Sequence, residues 1–252
     1  MKRYFFNIAY KGSHYCGWQR QPKQVSVQEV LENQLERLFR ESIPIVGCGR
    51  TDAGVHASDY YFHCDLPNSF PLENLLFKLN RMLPEDIVIY AIRPVQPESH
   101  VRFDALERTY HYKIHTFKHP FAKELSTYIP QQLDIPEMNR AAESLLGKQD
   151  FTSFSKLHTD VKTNYCMVTM AQWKQVEQNE WQFEITANRF LRNMVRAIVG
   201  TLIDVGTHKL TPSDIPRVIT EKDRGKAGKS VPAQGLYLAK ITYPSSIFDA
   251  KI

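Results

Sequence analysis

Apolar residues recur along this chain with two periods, one of two residues and one of about 3.6 residues. Residues 3–10 alternate two sets of side chains that are both largely apolar, which predicts a β-strand covered on both faces. Ser26 and Glu29 form a capping box, and apolar residues follow at helical spacing, which predicts a helix over residues 26–40. The chain therefore opens with a strand followed by an amphipathic helix.

The same two patterns predict the remaining elements. Further strands are predicted at residues 58–64, 87–93, 109–116, 165–176, 181–187 and 236–242, and further helices at residues 71–83, 136–146 and 189–205. The order of elements repeats in two halves, although the residues themselves show no internal repeat. We therefore predict an α+β fold in which helices cover one face of an antiparallel sheet, with an N-terminal half over residues 1–100 and a C-terminal half over residues 101–252.

Composition and charge narrow the class of protein. Of 252 residues, 42% are hydrophobic and 23% are charged, which is ordinary for a globular chain and excludes disordered and fibrous proteins. The excess of 32 Lys and Arg over 27 Asp and Glu gives a net charge of +5, which favours a polyanionic partner. The four cysteines have no metal-ligand spacing, so we expect no structural zinc and a reducing, cytoplasmic location. No apolar run approaches the roughly 20 residues that span a bilayer, so we expect no membrane association.

One turn-rich segment concentrates candidate chemistry. Residues 47–56 hold three glycines together with Arg50, Asp52 and His56. Glycines allow close approach of a ligand to the backbone, and an arginine next to a carboxylate can keep it ionised or bind a phosphate. Because Asp52 stands where a dinucleotide loop needs its third glycine, a dinucleotide site is disfavoured. A tight turn with an exposed ion pair between Arg50 and Asp52 explains the same residues, and this alternative stays open.

Basic and aromatic residues in the second half are candidates for contacts with RNA. Arg189, Arg192 and Arg196 recur on the predicted helix at a spacing that gives a basic stripe, which either binds phosphates or faces water. Tyr110 and Tyr112 alternate on a predicted strand, so both point to one face, where they either stack on bases or pack in the core.

Five segments together carry a resemblance to a known family. The most specific is Gly-Arg-Thr-Asp-Ala-Gly-Val-His-Ala at residues 49–57, and the others lie at residues 10–19, 108–112, 190–196 and 232–238. In this order and at this spacing they resemble the TruA-type transfer-RNA pseudouridine synthases. Two departures, at residues 11–13 and 231–233, lie beside the motif cores and bear on substrate detail.

The resemblance implies a fold and an activity. The fold would be two ferredoxin-like halves that share a central, mostly antiparallel sheet with helices on one face. The activity would be isomerisation of uridine to pseudouridine in the anticodon stem and loop of tRNA, at positions 38, 39 and 40, by a homodimer that needs no metal or organic cofactor.

The resemblance also implies a role for particular residues. Asp52 would be the catalytic carboxylate and Tyr110 would pack against the target base. Arg196 would pair with Asp52, Leu236 would line the base pocket, and Arg50 would help to expel or replace the flipped base. Arg189 and Arg192 are our own hypothesis for contacts with the RNA backbone.

The chemistry is consistent with a single ionised carboxylate. Pseudouridine formation breaks the N1–C1′ bond and joins C5 to C1′ with no redox step, and Asp52 could serve by attack at C1′, by addition to the ring or by elimination through a glycal. Two rival functions remain. A non-catalytic RNA-binding protein would have reason to avoid a carboxylate in a phosphate-binding cleft, and an N-glycosidase would release free uracil.

Overall fold

The alternating segments of the sequence form strands and the segments with helical spacing form helices, as the computed structural model shows for residues 1–67, 71–156 and 163–248. Contacts group residues 1–106 and 237–252 into one unit and residues 107–236 into a second.

The first unit contains β1 (Lys2–Tyr10), α1 (Val27–Phe39), β2 (Val46–Gly47), β3 (His56–Leu66), α2 (Leu72–Met82) and β4 (Ile87–Pro94). The second unit contains β5 (Glu107–His115), β6 (Thr127–Tyr128), α3 (Ile135–Glu143), β7 (Gly147–Asp150), β8 (Tyr165–Glu177), β9 (Glu180–Ala187), α4 (Met194–Gly206) and α5 (Asp214–Glu221). Strand β10 (Leu236–Thr242) belongs to the first unit except for its first residue. The halves predicted from the sequence, residues 1–100 and 101–252, differ from these units chiefly because almost all of β10 belongs to the first unit.

The sheet of the first unit is built around β1. This strand is antiparallel to β3 on one side and to β4 on the other, while β10 runs parallel to β3 and pairs Tyr237 with His56. Phe6 and Phe62 lie opposite each other, and their rings stack at 4.5 Å. On the other face, Phe5 is buried and its ring contacts that of Phe248. The prediction of a strand covered on both faces is therefore confirmed.

The helix α1 begins where its capping box predicts. The side chain of Ser26 accepts a hydrogen bond from the backbone N–H of Glu29 at 3.2 Å, and Leu31 and Leu35 are buried. The helix ends at Phe39, because Arg40 adopts a left-handed conformation with φ of 58°.

The sheet of the second unit is antiparallel in the order β5, β9, β8, β7, with β6 parallel to β5. Helix α3 packs against β8 and α4. Together with the first unit, these elements confirm the α+β class with mostly antiparallel strands.

Each unit uses the amide of one helical asparagine to hold a strand. In the first unit, Asn80 of α2 donates to the carbonyl oxygen of Ile89 and accepts from its N–H, both at 2.8 Å. In the second unit, Asn139 of α3 donates to the carbonyl oxygen of Trp173 at 3.1 Å and accepts from its N–H at 2.7 Å. These amides therefore occupy the N–H and the carbonyl oxygen of one residue in β4 and of one residue in β8, so neither residue has these groups open for pairing with another strand.

The predicted helix over residues 189–205 is wrong at its start, since α4 begins only at Met194. Asn193 precedes it in a left-handed conformation with φ of 67°, and the side chain of Asn188 accepts from the N–H of Met167 at 2.9 Å. Arg189 and Arg192 therefore lie in a loop, and the predicted basic stripe on one helix face does not exist.

Helix α5 was not predicted from the sequence. Its Pro216 falls in the first turn, where a missing N–H is tolerated. The buried face of this short helix consists of Ile215, Val218 and Ile219.

Within the ranges that the structure describes, no helix combines the length and the apolar character needed to cross a membrane.

The buried ring of His63 generates a prediction about stability and pH. Its Nδ1 accepts a hydrogen bond from the N–H of Val101 at 3.4 Å, so the ring is held neutral. Burial, with smaller contributions from Arg3 and His100, lowers the pKa of His63 from 6.5 to about 4. Between these values the unfolded chain binds a proton that the folded chain excludes, so this residue makes the free energy of unfolding fall as the pH falls from 6.5 to 4.

We expect His63→Asn to remove this part of the pH dependence, because the amide oxygen can replace Nδ1 as acceptor without titrating. The stability difference between the original protein and the variant, measured by urea unfolding from pH 7 to pH 4, should change by at most about 3 kcal/mol in favour of the variant toward low pH. A difference that stays constant with pH would show that His63 does not titrate in this range.

Candidate active site

Asp52 lies in the loop between β2 and β3, at a tight turn. Its backbone oxygen accepts from the N–H of Val55 at 3.1 Å, and Gly54 completes the turn with φ of 77°, a conformation that favours glycine. The side chain of Asp52 is half-buried, whereas that of Arg50 is exposed. The structure thus places the carboxylate on an irregular segment whose shape must be set by its surroundings.

Three buried aromatic residues support this loop. The hydroxyl of Tyr60 donates to the backbone oxygen of Gly49 at 2.5 Å, and the hydroxyl of Tyr10 is 2.8 Å from Oγ1 of Thr51. The backbone N–H of Trp18 donates to the oxygen of Thr51 at 3.3 Å. These contacts hold the residues that precede Asp52.

The segment over residues 10–19 approaches the loop closely because it carries two glycines. A Cβ on Gly17, which has φ of 104°, would collide with the backbone oxygen of Thr51, and a Cβ on Gly12 would collide with that of Val55. The N–H of Gly12 also donates to Nδ1 of His56 at 3.0 Å. This geometry explains why Gly-Trp-Gln and Gly-Arg-Thr-Asp, distant in the sequence, belong to one structural feature.

His56 has a supporting role. Its side chain is 1% exposed, and its ring stacks on that of Tyr237 with centroids 4.6 Å apart. Since Nδ1 accepts a hydrogen bond, His56 links the end of the loop to Gly12 and to β10. The sequence singled out this residue, but its partners could be found only in three dimensions.

The two candidate tyrosines of β5 have different environments. Tyr112 is fully buried, and its hydroxyl donates to the backbone oxygen of Pro232 at 2.8 Å and lies 2.7 Å from Oγ1 of Thr127. Burial raises the pKa of Tyr112 well above its ordinary value. Tyr110 is half-buried, and its ring packs edge to face with the ring of Phe190. The two ring centroids are 5.0 Å apart and the ring planes are at 81°. Tyr112 is therefore a core residue, and of the pair Tyr110 remains the candidate for a base contact.

Arg196 lies in the first turn of α4. Its Nε donates to the backbone oxygen of Val231 at 2.7 Å, and its own backbone oxygen accepts from the N–H of Val231 at 3.2 Å. Nearby, the side chain of Asn193 donates to Oγ of Ser230 at 2.6 Å. The start of the helix and the segment at residues 230–231 are thus fastened together.

Leu236 is 6% exposed at the start of β10. The preceding Gly235 lies against the ring of Tyr112, where a Cβ would be too close to Cζ and to the oxygen of Lys113. The segment at residues 231–236 therefore contacts both α4, through Arg196, and the strand that carries Tyr110. This segment thus joins the elements of the second unit that carry three predicted site residues, Tyr110, Arg196 and Leu236.

Arg189 and Arg192 lie in the loop that precedes α4, the first half-buried and the second exposed. Burial raises the pKa of Cys166 to about 11, while the positive charge of Arg189 acts in the opposite direction, which places this charge near the start of β8. The backbone oxygen of Arg192 accepts from the N–H of Lys156 at 3.1 Å. The same loop carries Phe190, the ring partner of Tyr110.

Sequence reasoning missed the residues that support the site. The hydroxyls of Tyr10 and Tyr60 and the role of Phe190 could not be assigned from spacing. The available signal was weak: an aromatic-rich strand and a Gly-Trp pair.

As for metal sites, among residues 1–67, 71–156 and 163–248 no group of three or more His, Cys, Asp or Glu side chains is placed to hold an ion.

Comparison with known proteins gives a consistent assignment. Residues 7–104 and 141–244 match the family described as tRNA pseudouridine synthase. The tRNA pseudouridine synthase A of Porphyromonas gingivalis is 51% identical over 98% of this chain and 100% of its own length. That of Parabacteroides distasonis is 52% identical over the full length of both chains, and that of Bacillus pumilus is 38% identical over 94% of this chain and 97% of its own. The chain therefore belongs to the tRNA pseudouridine synthase family of isomerases.

Proposed function

We propose that this protein isomerises uridine to pseudouridine in the anticodon stem and loop of tRNA, at positions 38, 39 and 40, with Asp52 as the reacting carboxylate and without a cofactor. The observation that carries the proposal is the loop at residues 49–57, which presents one half-buried carboxylate on a backbone held by buried groups. Membership of the family supports the reaction type, and the resemblance of the five segments supports the target region.

The reaction keeps all heavy atoms of the nucleotide and exchanges one hydrogen with the solvent. The N1–C1′ bond breaks, a C5–C1′ bond forms, the hydrogen at C5 leaves as a proton, and N1 gains a proton. An ionised aspartate can form a transient bond at C1′, add to the pyrimidine ring, or take a proton from the sugar on the way to a glycal. All three routes place the carboxylate of Asp52 next to the uridine, so all three need the same fixed loop.

Each of the other site residues has a proposed task. A stacked, paired uridine must first leave the helix at a cost of a few kcal/mol, which contacts with the extruded base have to offset. Tyr110 would pack on the flipped base and Leu236 would form an apolar wall, which also keeps water from the reactive sugar. Arg50, which is exposed two residues before Asp52, would help to expel the flipped base or replace it in the RNA helix. Arg196 would pair with Asp52.

The proposed partners and location follow from the same reasoning. The partner is tRNA, which the net charge of +5 favours, and a second copy of the chain forms a homodimer. The four cysteines are free thiols, three of them buried, which is consistent with the cytoplasm.

We expect the intact protein to release tritium from a tRNA transcript labelled at uridine C5, with EDTA present, because the new carbon–carbon bond expels that hydrogen. Asp52→Asn should reduce the rate by at least ~10³-fold, since the amide cannot act as nucleophile or base. Asp223→Asn is the matched control. Asp223 is an exposed aspartate whose capping contact with Gly225 an amide can keep, so this variant should release tritium at the original rate.

Each contrary result has a distinct meaning. Binding without release by the intact protein would indicate a non-catalytic RNA-binding protein, and free uracil among the products would indicate an N-glycosidase. Equal release by the intact protein and Asp52→Asn would assign the chemistry to another carboxylate. Release that persists after positions 38, 39 and 40 are changed to cytidine would overturn the target assignment.

The loop that precedes α4 is the proposed contact with the RNA backbone. If Arg189 and Arg192 each neutralise a phosphate, replacing both by Ala should weaken tRNA binding and lower the slope of log affinity against log salt by roughly 1.5. Arg37→Ala with Arg81→Ala is the matched control, because both arginines are exposed on helices of the first unit. An unchanged slope in the Arg189 and Arg192 double variant would remove these residues from the interface.

A further inference from the structure

We propose that the hydroxyl groups of Tyr60 and Tyr10 are positioning groups for Asp52, which fix the backbone that carries the carboxylate without touching the RNA. The proposal rests on the proposed role of Asp52 as the reacting group. Both tyrosines lie in the first unit, on strands β3 and β1, and their rings meet edge to face at 5.6 Å.

Tyr60 fixes the loop three residues before Asp52. Its side chain is 0% exposed, and its hydroxyl donates a 2.5 Å hydrogen bond to the backbone oxygen of Gly49. Gly49 belongs to an irregular segment, so its carbonyl has no neighbouring strand residue of a regular ladder to pair with. A group with no exposed surface cannot contact a substrate, so any effect of this hydroxyl on the reaction must be transmitted through the loop.

Tyr10 acts on the residue next to Asp52. Its hydroxyl lies 2.8 Å from Oγ1 of Thr51, and both side chains are buried. The backbone oxygen of the same threonine accepts from the N–H of Trp18 at 3.3 Å. Thr51 is therefore held at its side chain and at its backbone, which sets the direction in which the chain enters Asp52.

Tyr60 has no room to shift. Its ring stacks on the indole of Trp18 with centroids 4.2 Å apart, and Gly47 lies against both groups, so that a Cβ there would collide with the tyrosine hydroxyl and with the indole nitrogen. Burial also raises the pKa of Tyr60 well above its ordinary value, so the hydroxyl stays protonated at every pH used in an assay. The Tyr60 hydroxyl is thus always available, in a fixed position, to donate its hydrogen bond to the backbone oxygen of Gly49.

Removal of this donor would loosen the loop without changing the surface that RNA meets. A misplacement of about 1 Å at a reacting group costs roughly 100-fold in rate. We therefore expect Tyr60→Phe to lower the single-turnover rate of tritium release at saturating enzyme by about 10- to 100-fold. Its affinity for tRNA should stay within about twofold of the original.

Tyr243→Phe is the matched control. This residue lies in the same unit, and its hydroxyl donates to a backbone oxygen, that of Val101, at 2.6 Å, so the variant loses a comparable bond away from Asp52. Both variants should lose similar thermal stability, but only Tyr60→Phe should lose turnover. If the two variants lose stability equally and keep their rates, the hydroxyl of Tyr60 has a structural role alone and the proposal fails.

A second variant keeps the test decisive if Tyr60→Phe does not fold by circular dichroism. Tyr10→Phe leaves the ring in place and should lower the same rate about tenfold with unchanged affinity, whereas an unchanged rate would overturn the proposal. Asp52→Asn, assayed in parallel, distinguishes a wrong role for Asp52 from a wrong positioning role for the two tyrosines. If Asp52→Asn is fully active, the proposed role of Asp52 as the reacting carboxylate is wrong. If it is inactive while the folded tyrosine variants match Tyr243→Phe, only the positioning role is wrong.

Discussion

The candidate site depends on the close approach of two backbone segments, residues 12–17 and residues 51–55. Only glycine fits at positions 12 and 17, because a Cβ at either would strike a carbonyl oxygen of the facing segment. The contact allows Trp18 to donate to Thr51, and it allows the N–H of Gly54 to donate to the backbone oxygen of Tyr15 at 3.3 Å. A loop that makes few regular hydrogen bonds of its own thereby acquires one shape.

In the second unit, the segment before β10 is also held by a buried tyrosine hydroxyl and a closely packed glycine. Residues 231–235 precede β10 and include one 3₁₀ turn at Ala233–Gly235. The buried hydroxyl of Tyr112 donates to the oxygen of Pro232 as that of Tyr60 donates to Gly49. Gly235 lies against the Tyr112 ring as Gly47 lies against Tyr60. In both units a buried tyrosine satisfies a loop carbonyl, and a glycine makes room for the tyrosine.

Local signals predicted the elements whose shape is decided locally. The pairing of Ser26 with Glu29 located the start of α1, because a helix cap depends on neighbouring residues. The start of α4 was missed since helical spacing continues backward through Arg192 and Arg189, while the chain breaks at Asn193, whose side chain is fastened to the distant Ser230. Tyr110 and Tyr112 share a strand face, and the burial of Tyr112 depends on Thr127 and Pro232, which spacing within β5 cannot reveal.

The site likewise contains one feature that neighbouring residues indicate and others that depend on residues distant in the sequence. The motif at residues 49–57 indicated the carboxylate, since a cluster of glycines around a charged residue is a local signal. The residues that hold it come from β1, from the turn after β1 and from β3, and they act through uncharged groups: two phenol hydroxyls, the backbone N–H of Trp18 and two glycines. Their neutral hydrogen bonds fix the backbone beside Asp52 without occupying the carboxylate itself.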